Sequence, residues 1–247
     1  MNDISYYILS ALAVFIILSV HEYAHGYAAY KLGDNTAKNY GRLTLNPIKH
    51  LDPVGAICMI FFHVGWAKPV PINARNFKKP KRDFAITALA GPLSNIVMGF
   101  LSAFLYLLII AIFKDKSFAQ DDFSYKLLQN FLLFVFLFHT INVGIGVFNL
   151  LPIPPFDGSR ILNVILPEKT YFAVMKHERK IYLGVLIWLL CGDALARAVR
   201  LIPFVQSSAF LHGAAGIFSL SGMLSAAIGF ISELMMNFWQ LIPFLKL

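Results

Sequence analysis

The sequence predicts an all-α polytopic membrane protein with about five to six transmembrane segments and a re-entrant or interfacial insert between the first two. Three observations lead there. Of 247 residues, 58% are hydrophobic and only 14% charged, whereas soluble domains run near a quarter charged. The apolar runs are continuous and do not alternate, which points to helices and away from a barrel. The charges gather between the runs, and the formal charge of +8 reads as loop orientation across a bilayer, with no nucleic-acid partner implied.

The first apolar run covers residues 4–30, longer than the ~20 residues needed to cross, and Gly33-Asp34-Asn35 ends it. No cleavable signal is expected: the start is not basic, and removing the run would remove its chemistry. Residues 31–82 form a loop carrying Lys31, Lys38, Arg42, Lys49, Lys68, Arg75, Lys78, Lys79, Lys81 and Arg82 against Asp34 and Asp52. By the positive-inside rule that loop is cytoplasmic. Within it, residues 54–64 are apolar but too short for an ordinary span, which suggests the insert.

A second span is expected over residues 84–113, a polar loop over 114–126, and a third span over 127–151 returning to the first side. Pro152-Ile153-Pro154-Pro155 cannot continue a helix, and Asp157-Gly158 follows before a short helical pattern to Leu166. Residues 181–202 read as a weaker span, interrupted by Asp193, Arg197 and Arg200, in which Asp193 and Arg197 are spaced to pair. Residues 204–232 are uncharged and rich in small residues that suit close helix packing. The stretch 238–247 reads as interfacial. Cys58 and Cys191 are read as separate buried thiols.

The chemistry begins at His21-Glu22-Tyr23-Ala24-His25. Two histidines at i and i+4 share one helix face, where both imidazoles reach one zinc ion. Glu22, beside the first, is placed to take a proton from water at that ion. Charged and ionisable groups are costly inside a membrane and mark functional sites there. The loop charges then join distant segments: His21 and His25 lie near the cytoplasmic end of the first span, and Asp157 lies just past the cytoplasmic end of the third. Catalytic zinc takes three protein ligands and keeps one open position, a count that two histidines and one carboxylate satisfy. On local pattern alone, Asp157-Gly158 after prolines is more often a turn than a ligand.

These motifs resemble the site-2 protease family of intramembrane zinc metalloproteases, in particular its compact bacterial members without a PDZ insertion. The resemblance rests on His21-Glu22-Tyr23-Ala24-His25, on Asn149-Leu150-Leu151-Pro152-Ile153-Pro154-Pro155-Phe156-Asp157-Gly158 as an N-x-x-P-x-P-x-x-D-G pattern, and on Gly91-Pro92-Leu93-Ser94-Asn95 as G-P-x-x-N. Gly41-Arg42-Leu43-Thr44-Leu45-Asn46-Pro47 and Trp66-Ala67-Lys68-Pro69-Val70 are also similar to the compact branch. The likeness covers about residues 10–166, which divides the chain into a metalloprotease core, 1–166, and additional C-terminal helices, 167–247.

The resemblance implies one Zn2+ per chain, held by His21, His25 and Asp157, with Glu22 as general acid and base. It places Asn149 near the metal, to bind the oxyanion or orient the peptide, and Asn95 on the substrate-facing surface. For either asparagine an interhelical hydrogen bond is the alternative. The implied partners are a membrane-embedded protein or peptide and the lipid bilayer. The implied location is the bacterial inner membrane with the site toward the cytoplasm.

A transmembrane helix must be unwound to be cut, so an extended receptor edge is expected. Residues 57–71 are the candidate, with an interfacial anchor built on Trp66 and Lys68 as the alternative. His139 lies too far along its helix to join the metal and reads as a packed histidine. A metal transporter is the rival class, but it needs ligands laddered across the bilayer, and these gather on one side.

Overall fold

The computed structural model describes residues 3–53, 55, 67–116, 122–202, 204 and 219–246. Among them, four helices are long and apolar enough to cross a membrane. Three match the expected spans: α1 over Asp3–Lys31, and, after two short helical turns, α2 over Thr36–Asn39 and α3 over Pro47–His50, then α4 over Pro80–Phe113 and α5 over Phe123–Asn149. The short helices α6, Asp157–Ile165, and α7, Glu168–Met175, follow. The last two long helices are α8, Glu178–Arg200, and α9, Leu220–Trp239.

The expected span at 181–202 falls, up to Arg200, within the single long helix α8. Its sheltered positions, Ile181, Val185, Trp188, Leu189 and Ala196, recur at three- and four-residue intervals, while Arg179, Lys180 and Arg197 stand exposed. That is one packed stripe on a partly charged helix. The fourth of the helices long and apolar enough to cross, among the described residues, is α9. Cys191 is exposed, contrary to expectation. The insert at 54–64 apart from Gly55, with Cys58, and the side chain of Asp193 lie outside the described residues.

Helices α1, α4 and α5 form the centre of the bundle, each packed on the other two. Small residues make this possible. Ala88, Gly91, Gly99 and Ala103 line the buried face of α4, so neighbouring backbones approach closely. α9 closes the side formed by α4 and α5. Its Trp239 stacks among Phe100 and Phe104 at centroid distances of 4.6 and 4.7 Å, and Nε1–H donates to Phe100 O at 2.9 Å. The residues expected to be interfacial after 238 instead end in a short turn that buries Leu245 against Leu107 and Ala111. On the other side, α8 and α9 pack against the end of α5 through a cluster centred on Phe156, Val185 and Leu220.

The long loop after α1 is held by one carboxylate. Asp34 is fully buried and accepts from Thr36 N at 3.0 Å, Thr36 Oγ1 at 2.5 Å, Asn73 N at 2.7 Å and Asn76 Nδ2 at 2.7 Å. Burial pushes its carboxyl up, but these donors prevail and hold it below the usual range. The far end of the loop is thereby fixed to the end of α1. Residues 67–71 are extended within it: Leu51 and Ala67 form an antiparallel bridge, Lys68 N donates to His50 O at 2.8 Å, and Arg42 Nη2 donates to Lys68 O at 2.7 Å.

Candidate metal centre

The end of α1, the start of α4 and the α5–α6 junction meet at one end of the bundle. His21 and His25 come from α1, one turn apart, and both are buried. Asp157 is the first residue of α6, where the unpaired N–H groups of a helix start favour a carboxylate. Its position depends on the next residue. A Cβ on Gly158 would collide with Leu150 O and Leu151 O, so only glycine lets α6 begin against the last carbonyls of α5.

The three side chains converge. His21 Nε2 and His25 Nε2 are 3.0 Å apart, and each is 3.2 Å from Asp157 Oδ2. Among the described residues this is the group that could hold a metal ion. A tetrahedral zinc with bonds of about 2.0–2.1 Å separates its ligand atoms by about 3.3 Å, so the spacing fits.

The outer nitrogens fit as well. His25 Nδ1 lies 2.7 Å from Thr87 O, and His21 Nδ1 lies 2.5 Å from Asn95 Oδ1. Each Nδ1–H donates outward, which turns a lone pair at each Nε2 toward the carboxylate. Three acceptors facing one another are what a cation relieves. Burial pushes the Asp157 carboxyl up, yet the adjacent imidazoles hold it well below the usual range, in the deprotonated form a ligand needs.

α4 supplies the floor. Pro92 has no N–H, so the helical bond to Ala88 O is missing, and the adjacent Thr87 carbonyl receives His25. Gly91 passes directly under the imidazoles: a Cβ there would lie 2.7 Å from His21 Nε2 and closer still to His25 Nε2. Gly26, on α1, leaves similar room for Val70, whose Cγ1 would be 3.2 Å from an added Cβ. Val70 is buried there, and its N–H donates to Glu22 Oε2 at 2.7 Å.

A cavity of about 530 Å³ opens beside the ligands, lined by Glu22, Asn149, Pro69 and Val70, with Arg160 and Glu178 at its rim. Arg160 and Glu178 pair at 3.0 Å, tying α6 to α8.

The sequence-predicted residues therefore separate into three positions. His21, Glu22, His25 and Asp157 meet at the cavity. Asn149 lines it too, with one amide N–H donated to Ile145 O at 3.0 Å. Asn95, expected to face substrate, is instead buried behind His21, its Nδ2 donating to Asn142 Oδ1 at 3.0 Å; this is the interhelical alternative, directed at a ligand. His139 is buried and donates Nδ1–H to Gly99 O at 2.8 Å, away from the centre. Sequence reasoning missed Thr87 and Asn142, and it noted Gly91 only as part of the G-P-x-x-N motif. Asn142 carried a signal of its own, as an amide in an uncharged span.

Residues 9–192 match the profile described as Peptidase family M50. The chain is 44% identical over 172 residues to YwhC of Bacillus subtilis, whose name designates it a zinc metalloprotease; the match covers 68% of this chain and 75% of that one. It is 30% identical over 201 residues to Rip2 of Mycolicibacterium smegmatis, with the same designation, covering 76% and 72%. It is 28% identical over 169 residues to zinc metalloprotease MJ0392 of Methanocaldococcus jannaschii, covering 68% of this chain but 38% of that one. No solved structure matches at a significant level.

Proposed function

This chain belongs to peptidase family M50, the site-2 type of zinc metalloprotease, and from that premise we propose that it cleaves peptide bonds in or near transmembrane segments of membrane-anchored substrates. Regulatory proteins and signal-peptide remnants are the substrate classes. The observation that carries this reading is the convergence of His21, His25 and Asp157 within 3.2 Å, beside Glu22, inside a bundle of apolar spans.

In this reading His21, His25 and Asp157 hold one zinc per chain. Zinc supplies Lewis-acid polarisation of water and of the scissile carbonyl. Glu22 accepts the proton of the attacking water and later gives it to the leaving amine. The bond from Val70 N–H occupies Glu22 Oε2, which leaves Oε1 for the proton. Asn149 donates to the developing oxyanion with the amide N–H not spent on Ile145.

An unwound substrate needs partners for its backbone. Residues 67–71, beside the cavity, are the described part of the candidate strand-addition edge; with Lys68 and Val70 N–H already bonded and Pro69 and Pro71 lacking one, residues 68–71 offer a substrate carbonyl oxygens alone. Residues 1–166 make up the catalytic core, and α7 to α9 buttress it. The density of Lys and Arg in the 31–82 loop and around Lys176–Lys180 orients this end toward the cytoplasm of a bacterial inner membrane.

The test compares membrane proteomes of cells carrying the wild type and Glu22→Gln. Membrane-anchored precursors or remnants should accumulate in the variant, cut sites lying in or beside their apolar segments. Identical proteomes, or cleavage confined to soluble proteins, would end the proposal.

A further inference from the structure

The amides behind His21 have a direction, and α5 sets it. Asn142 Nδ2 is 2.8 Å from Phe138 O, an atom that can only accept. The NH2 end of Asn142 therefore faces Phe138, and its Oδ1 faces Asn95. Asn95 Nδ2 lies 3.0 Å from that Oδ1 and must donate to it. This leaves Asn95 Oδ1 toward His21 Nδ1, 2.5 Å away, so the imidazole hydrogen sits on Nδ1 and the lone pair on Nε2. Both asparagines are 1% exposed, so water does not compete for these bonds.

We infer that Asn142 is a positioning residue for the metal centre: acting through Asn95, it fixes the tautomer and ring orientation of His21 that metal ligation requires. The inference rests on His21, His25 and Asp157 being the ligands. It differs from a simple tie between α4 and α5, because a tie can run in either direction and this one cannot. If Asn95 were reversed, its NH2 would face Nδ1. The ring would then have to carry its hydrogen on Nε2, the atom that faces His25 and Asp157. Without Asn142 Oδ1, nothing among the bonds of Asn95 opposes that reversal.

The experiment uses the full chain purified in detergent, titrated with Co2+ and then with Zn2+ in competition, with the cobalt d–d absorption as readout. Circular dichroism reports the folded fraction of each sample. In Asn142→Ala the affinity should fall about 10–100-fold, the usual consequence of losing a residue that orients a ligand. Asn142→Asp should stay within a few fold of wild type, since a neutral buried carboxyl gives its O–H to Phe138 O and accepts from Asn95 Nδ2. The pair Asn95→Ala/Asn142→Ala should bind no more weakly than Asn95→Ala alone, since Asn142 acts only through Asn95.

Unchanged affinity in folded Asn142→Ala would overturn the inference, reducing Asn142 to an interhelical bond. Equal losses in the Ala and Asp variants, or additive losses in the double variant, would overturn it too. Absence of metal binding in the wild type would be a separate result, removing the ligand assignment beneath it.

Discussion

Gly91→Ala is the substitution that strikes the centre without removing any ligand. The added methyl would lie 2.7 Å from His21 Nε2 and nearer to His25 Nε2 and Cε1, inside the space where the ligand atoms converge. Ordinary contact begins near 3.4 Å, so either the imidazoles swing off their outer hydrogen bonds or α1 and α4 part by at least about 0.7 Å against close packing. Metal–ligand distances tolerate only about ±0.2 Å. Metal affinity should therefore fall more than ~100-fold, beyond about 2.8 kcal/mol. Gly99→Ala is the control. Its Cβ would meet Val143 Cγ2 at 2.9 Å, in the α4–α5 packing and away from the imidazoles, costing about 1–3 kcal/mol of stability with a far smaller effect on metal affinity than Gly91→Ala. Titration of both variants with Co2+, alongside thermal unfolding, separates the two effects. Folded Gly91→Ala binding metal as tightly as the wild type would refute the argument.

Other expectations follow from the same geometry. Glu22→Gln should keep its zinc, measured by elemental analysis, while cleavage falls about 10²–10⁴-fold; substantial turnover would take Glu22 out of the proton transfer. Asp34→Ala removes an acceptor of the Asn73 N–H and the Asn76 amide, at about 0.5–1.5 kcal/mol per bond because both residues reach water, and should open residues 70–80 to limited proteolysis. Since the folded state holds the Asp34 carboxyl below its ordinary value, its stabilisation is complete above the unfolded value near ~3.9. It is lost as pH falls through the folded one. Proteolysis of the wild-type loop should thus rise only below about pH 4, and the pH-dependent part should vanish in Asp34→Ala. A cysteine replacing Lys79 should be shielded from impermeant thiol reagents in intact cells, and labelling from outside would invert the orientation.

The cluster of His21, His25 and Asp157, which could hold a metal ion, was legible because two separate signals agreed. H-E-x-x-H fixes two imidazoles by helical period, and loop charge brings Asp157 to the same end of the bundle. The groups that orient those ligands were not legible, for physical reasons. Thr87 O and Val70 N–H are main-chain atoms, which every residue type offers alike. Gly91 matters through what it lacks, and nothing in its neighbours announces imidazoles above it. Asn95 was visible as part of a motif, but its facing depended on Asn142, 47 positions away.

The central claim is that one zinc is held by two imidazoles and one carboxylate. X-ray absorption at the zinc edge, on the purified chain carrying Glu22→Gln, tests it directly. The account predicts one zinc per chain, two imidazole rings and oxygen or nitrogen neighbours at about 2.0–2.2 Å, with no sulfur; loss of Asp157 should remove a light neighbour or the metal itself. A sulfur neighbour, three or more imidazoles, or an unchanged spectrum in Asp157→Ala would contradict it.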